Sequence, residues 1–341
     1  MQLTLVTAEL RRRGSTCEVL KINEGRRAKS PEYVDVQNGF DFLWKIWRYA
    51  LQGYRLNVHV NGCSKKGYFL ALAAALTGRV TANPTRVTFH GGLSQYYFPQ
   101  PRGIWRWAFW LLFHAAGAIA CDSPEIAREI AMCDVSPAKI ASIATFSPQY
   151  VDYSPARLPE DVEVFLARWP RIIFCYVSFR PEYQLETLRE AMRRYRSQHS
   201  EAGFIWLGFP AQELTQMQQW LAAWQPGERD GLLLLGSLPH DEFLTLLSRS
   251  TLCLRTPACD GVAASVLEAL ALGIPVIASE NGSRPAGVVT YEDGNVDDLV
   301  AKLNEVPARV EGVRTSLGAS AAENNVAKMA DWLMNGLENR S

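Results

Sequence analysis

The chain has no pair of cysteines at C-x-x-C spacing, and its seven cysteines, an odd number, cannot all pair. That argues against a disulfide framework and against a thiolate zinc site. It makes the cytoplasm the default compartment, with the inner face of the membrane as the alternative. Charge of neither sign is in excess, since 35 Lys and Arg balance 35 Asp and Glu, and no nucleic-acid partner is implied. No repeat with a period of about 20 to 50 residues and no low-complexity tract occurs, which sets aside solenoids and disordered tails. No secretory leader is read at the start, because Arg11, Arg12 and Arg13 fall inside a helical pattern instead of preceding an apolar run. No clustered D-x-D carboxylate pair stands at a strand end, so neither a metal nor any other cofactor is expected.

What is present describes an ordered globular protein. Hydrophobic residues make up 48% and charged residues 21% of 341 positions, enough for two domains with separate cores. The charge balance is not local. Residues 1–150 hold 18 Lys and Arg against 10 Asp and Glu, leaving 17 against 25 for the remainder. A basic first half suits an anionic acceptor or a membrane surface; two solvated faces of opposite sign are the alternative. Apolar runs at 17–22, 56–60, 86–89, 118–121, 172–177, 204–207, 232–235, 251–254 and 275–278 read as strands. Helical stretches separate most of them, which predicts an α/β protein with parallel sheets and crossover helices. Pro148, Pro155, Pro159 and Pro170 interrupt the pattern between two such regions. The expected organisation is a domain over 1–155, a second over 156–320 and a terminal helix over 321–341 packing back on the first, with a cleft between the domains.

The densest chemistry lies in DGVAASVLEALALGIPVIASENGSRP, residues 260–285. Positions 263–272 read as a helix stopped by Gly273 and Pro275. Glu268 is its only charge. A helix apolar on every other face is expected to be buried, so that carboxylate needs polar partners or a ligand. Small residues open the helix, where exposed N–H groups and the positive end of the dipole suit a phosphate. The segment thus describes a site for a phosphorylated ligand carrying hydroxyls.

Asp260 and Glu268, eight positions apart, resemble the E-x7-E motif of the family 4 retaining glycosyltransferases, which use nucleotide sugars and have the GT-B fold. Similar segments follow in family order: ELRRRGSTCEVLKI near the start, VTFHGG at 87–92, AGAIACDSPEIAREI at 116–130, FRPEYQLETLREA at 179–191 and LLLLGSLPHDEFLTLLSRSTLCLRTPACDG at 232–261. The resemblance implies two Rossmann-like domains facing a cleft and a metal-independent, hexosyl-type transfer to a glycan or lipid-linked acceptor in cell-surface polysaccharide assembly. It also implies that Glu268 holds the nucleotide ribose and Asp260 the sugar hydroxyls. The N–H groups of Gly261, Val262, Ala263 and Ala264 then face the diphosphate. The structural alternative is a Glu268 paired with a buried Arg and an Asp260 that caps the helix.

Departures from the pattern accompany the matches. Members open with a strand and a glycine-rich loop, whereas this sequence begins with what reads as the first helix, so a first strand is expected to be missing through truncation or loss. Ser178 and Tyr183 stand where the family places its diphosphate-binding Arg and Lys. Arg180, two positions away, is the replacement, with Arg284 and Arg255 as further donors or structural ion-pair partners. His90, at a strand end before Gly91 and Gly92, resembles the family histidine that faces the transferring sugar. His59, His114, His199 and His240 carry no such context. Residues 103–114, with Trp105, Trp107, Phe109, Trp110 and Phe113 between Arg102 and His114, suit either core packing or peripheral membrane contact. The rivals to a transferase are a catalytically weak or inactive GT-B subunit that binds a nucleotide sugar or partner, and an epimerase or phosphorylase of related fold.

Overall fold

The computed structural model describes residues 2–22, 33–62, 64–92, 97–99, 102–209, 211–258, 263–282, 284–306 and 323–335. The chain forms two compact units, one of residues 1–149 with 323–341 and the other of residues 150–322.

In the first unit, α1 (Gln2–Arg12) buries Val6 and Leu10, one turn apart. The strand expected over 17–22 shrinks to β1 (Leu20–Lys21), paired in parallel with β2 (Val34–Asp35) as a separate ribbon. Its earlier part is not strand because Arg11 donates twice to the Cys17 carbonyl, satisfying that backbone from a side chain. Asn38 and Ser64 cap α2 (Gly39–Leu51) and α3 (Lys65–Val80), each accepting from an N–H of the first turn. A four-stranded sheet follows in the order β3 (Asn57–Val60), β4 (Arg86–Phe89), β5 (Ala118–Cys121) and β6 (Ile140–Ser142), all parallel. Successive strands are neighbours, so right-handed crossovers put α3, α4 (Ile104–Ala115) and α5 (Pro124–Ala131) on one side of the sheet.

The aromatic segment of α4 divides by face. Phe109 and Phe113 sit edge-on to Phe89 in the core, Phe113 also edge-on to Phe98 and Phe109 tilted against it, while Ile104 and Trp107 remain exposed.

The second unit is built on a six-stranded parallel sheet. Its members are β7 (Arg171–Tyr176), β8 (Ala202–Phe209), β9 (Leu232–Gly236), β10 (Leu252–Arg255), β11 (Val276–Ser279) and β12 (Val288–Tyr291), in the spatial order β12-β11-β10-β7-β8-β9. Every residue of β8 is buried, as a strand covered on both faces requires. One layer of core gathers Leu188, Met192 and Tyr195 of α7 (Leu185–Gln198) with Trp206 and Leu299. The other gathers Leu244 and Leu247 of α10 (His240–Ser248) with Val266 and Ala269 of α11 (Ala264–Ala271).

The strand order fixes where a ligand can sit. The chain runs outward from β7 through β8 to β9, then returns to the other side of β7 and runs outward through β10, β11 and β12. Loops leaving β7 and β10 therefore diverge and open a crevice beyond the carboxyl ends of these two neighbours.

Candidate functional site

The crevice of the second unit is bordered by the loop after β7, the loop after β10 and the start of α11. Glu268 is in the second turn of α11 and only 5% exposed. Burial raises its carboxyl from 4.5 to about 7. The nearest basic side chain among the described residues is His240, whose Nε2 lies 3.9 Å from Oε1. That nitrogen is committed elsewhere. It donates to the Tyr150 carbonyl at 2.8 Å, so its N–H is directed at that oxygen and not at the carboxylate. A buried carboxylate of this kind is stabilised by any ligand that donates hydroxyls to it.

Helix α11 begins without a side-chain cap. Ala263 is its extended N-cap residue, and no acidic residue lies in the first turn. The amides of Ala264 and Ser265 thus head the helix next to the crevice, as an anion site requires. Asp260, Gly261 and Val262, read from the sequence as sugar and diphosphate contacts, lie outside the described residues.

The loop after β7 is organised by a residue the sequence did not single out. Glu213, on α8 (Ala211–Ala222), accepts from the Ser178 hydroxyl at 2.7 Å and from the Phe179 N–H at 2.8 Å through Oε2. Its Oε1 is 3.7 Å from Arg180 Nε. Arg180 is thereby held on the rim, with a half-exposed guanidinium. Arg255, at the end of β10, is buried; its guanidinium lies over the rings of Tyr176 and Tyr183, 5.6 and 5.1 Å from their centroids. Tyr183, at the position where the resemblance leads one to expect a Lys, is thus backed by a cation from the neighbouring strand. Arg284 reaches inward: Nε donates to the Ser279 carbonyl at 2.8 Å, and Nη2 to the Pro257 carbonyl at 2.6 Å and the Ser279 hydroxyl. It ties the loop after β10 to the end of β11.

The polar cluster of the first unit is more extensive than one histidine. Asn57 and His59 share the polar face of β3, and registry places His90 and Asp122 one residue past the ends of β4 and β5. The Thr88 hydroxyl donates to Asn57 Oδ1, which leaves Nδ2 to donate to His59 Nε2 at 3.1 Å. His59 Nδ1–H then donates to His90 Nε2 at 2.7 Å, and His90 Nδ1–H to Asp122 at 3.2 Å. Every proton has a direction along this chain. Burial lowers His59 to about 3 and keeps it neutral. Gly91 is needed here because a Cβ would come within 2.2 Å of the Phe89 ring. Both His90 nitrogens therefore face protein partners, and a sugar hydroxyl reaches Nε2 only by replacing His59.

His59, Asp122, Glu213 and His240 are the residues that sequence reasoning missed. A signal existed for Asp122: it is the first polar residue after an apolar strand, as is His90, and adjacent parallel strands bring such positions together.

The doubly wound sheet of the second unit, with the parallel α/β unit preceding it, defines the GT-B fold. Residues 162–309, within the second unit, match the family model described as glycosyl transferases group 1. No curated protein matches the chain. Similar solved structures include a glycosyltransferase from Rickettsia africae (14% identity, 98% of this chain and 94% of that one, TM-score 0.67). Anabaena HepE in complex with UDP is similar at 13% identity over 87% of this chain and 82% of that one, with a TM-score of 0.64. A putative UDP-N-acetylglucosamine 2-epimerase from Listeria monocytogenes shares 14% identity over 100% of this chain and 94% of that one, with a TM-score of 0.66.

Proposed function

We propose that the chain transfers a hexosyl group from a nucleoside diphosphate sugar to a glycan or lipid-linked acceptor, with retention and without metal, in cell-surface polysaccharide assembly. The observation that carries the reading is the buried Glu268, its carboxyl raised to about 7 by burial, beside the crevice of the unit that matches the glycosyl transferases group 1 model. In this reading Glu268 accepts the ribose hydroxyls, and the α11 start, with Arg180, takes the diphosphate, whose charge grows as the glycosidic bond breaks. Asp260 holds the sugar hydroxyls, and Arg284 acts at one remove by shaping the loop after β10. His90 meets the sugar once His59 gives way. Uridine is the base to try first, since Anabaena HepE, of the same fold, has been solved with UDP and with UDP-glucose.

Ser178 and Tyr183 favour a second reading, a GT-B protein that binds a nucleotide sugar without transferring it. Incubating purified protein with radiolabelled UDP-hexoses and a lipid-extract acceptor tests both. Appearance of labelled glycolipid with the α-configuration of the donor supports the proposal. Tight donor binding with no labelled product supports the second reading, and a changed free nucleotide sugar without acceptor identifies an epimerase.

A further inference from the structure

Large apolar side chains left exposed are concentrated on three helices of the first unit. Of the thirteen among the described residues, ten lie on α2, α3 and α4, and the second unit contributes one, Val164. Their spacing is regular. Phe40, Trp44, Trp47 and Leu51 follow each other at intervals of four, three and four on α2, which places them on one side opposite the buried Phe42, Ile46 and Ala50. Phe69, Leu76 and Val80 repeat that periodicity on α3, and Ile104 and Trp107 open α4. Phe40, Trp44 and Trp107 are 87%, 66% and 62% exposed, so these are not core residues seen at an edge.

The three helices form one layer. α3 packs on both α2 and α4, and α3 and α4, as crossovers between consecutive parallel strands, cover the same side of the sheet. Their outward faces therefore point away from the sheet together.

Charge singles out the occupant. From residue 42 to residue 121 the sequence has nine Lys and Arg and no Asp or Glu. Arg48, Lys65, Lys66 and Arg102 are exposed on or just before these helices. The one carboxylate on the three helices, Asp41, is paired with Lys45 at 2.7 Å. Aromatic rings flanked by cations on an outward helical face, with no helix among the described residues long enough to cross a bilayer, match the physics of an interfacial membrane surface.

We infer that the α2–α3–α4 face lies on an anionic phospholipid membrane, its tryptophans and phenylalanines at headgroup depth and its lysines and arginines against the lipid phosphates. The inference is independent of the transfer reading, because membrane binding is read without donor or acceptor.

The test is flotation of the full chain with vesicles of equal parts phosphatidylglycerol and phosphatidylcholine, against vesicles of phosphatidylcholine alone. The chain should float with the anionic vesicles at low salt, with a blue shift of tryptophan emission, and be released as salt rises. Trp44→Glu with Trp47→Glu should lower partitioning by at least about tenfold with an unchanged circular dichroism spectrum. Lys65→Glu with Lys66→Glu, which leaves the aromatic stripe intact, should lower it by a similar factor at low salt and flatten its salt dependence. Absence of flotation at low salt, or variants that float as the parent does, would overturn the inference. So would self-association abolished by the tryptophan pair in protein that ignores vesicles, since the face would then cover a second copy.

Discussion

Glu268 shows how a single buried carboxyl makes the stability of the fold depend on pH, and the proposed reading gives that carboxyl a ligand to accept from. Its carboxyl titrates near 7 in the folded chain against 4.5 ordinarily, because burial penalises the anion. Between these values the folded state holds a proton that the unfolded state has released. The associated stability is complete below about pH 4.5 and is lost as pH rises through about 7. Glu268→Gln cannot ionise and should therefore raise the melting temperature above pH 7, by the equivalent of about 1 to 3 kcal/mol, with little effect near pH 4. The same variant should bind UDP about ten- to hundredfold more weakly, since a neutral amide replaces a charged acceptor for hydroxyls. Differential scanning calorimetry at the two pH values and titration calorimetry with UDP check the pair of effects. A variant that is stabilised but binds UDP normally would remove Glu268 from the ribose.

At the scale of elements, the proposed reading gives the loops after β7 and β10 different parts in holding a diphosphate. Arg180 is on the rim, steadied by Glu213, whereas Arg284 spends Nε and Nη2 on protein oxygens. Arg180→Ala should therefore weaken UDP by about ten- to hundredfold while leaving uridine unaffected, the signature of a lost phosphate contact. Arg284→Ala should weaken both ligands by a similar factor, because it releases the Pro257 loop from Ser279. A UDP-specific loss in the Arg284 variant alone would move the phosphate anchor to the end of β11. The strands that frame these loops were legible because β7 to β11 are apolar runs bounded by helical patterns. β2 and β6 escaped notice as edge pieces of two and three residues, and β12 as a four-residue run at the sheet margin. Glu268 was legible as a lone charge in an apolar helix. The partners Glu213 and His59 were not, since each meets its contact across 31 to 35 residues of sequence and only the fold brings them together, whereas Asp122 carried the signal of a polar residue at a strand end.

At the scale of the molecule, the chain order and the folding units do not coincide. The last described helix, α13 (Asn325–Met334), follows the second unit in sequence but belongs to the first. Specific contacts fasten it there. Buried Asn325 donates to the Phe146 carbonyl at 2.7 Å, and the Val326 N–H donates to the Ser147 hydroxyl. Arg13 pairs with Asp331, and the Arg86 guanidinium lies 4.8 Å from the centre of the Trp332 ring. Arg86 is mostly buried, and burial lowers it to about 10, so the indole face and the Asn335 carbonyl help keep its charge inside the fold. Asn325→Ala leaves the Phe146 carbonyl without its side-chain donor and should cost about 1 to 3 kcal/mol of stability. Trp332→Ala should cost at least as much, losing both apolar contact and the ring over the cation. Neither residue belongs to the unit that carries Glu268, so at a temperature where the variants remain folded UDP affinity should stay within about twofold of the parent. This is the converse of Glu268→Gln, which gains stability and loses affinity. A parallel loss of UDP affinity in the Asn325 and Trp332 variants would mean that the nucleotide site depends on the first unit, and would place its determinants beyond the crevice between β7 and β10.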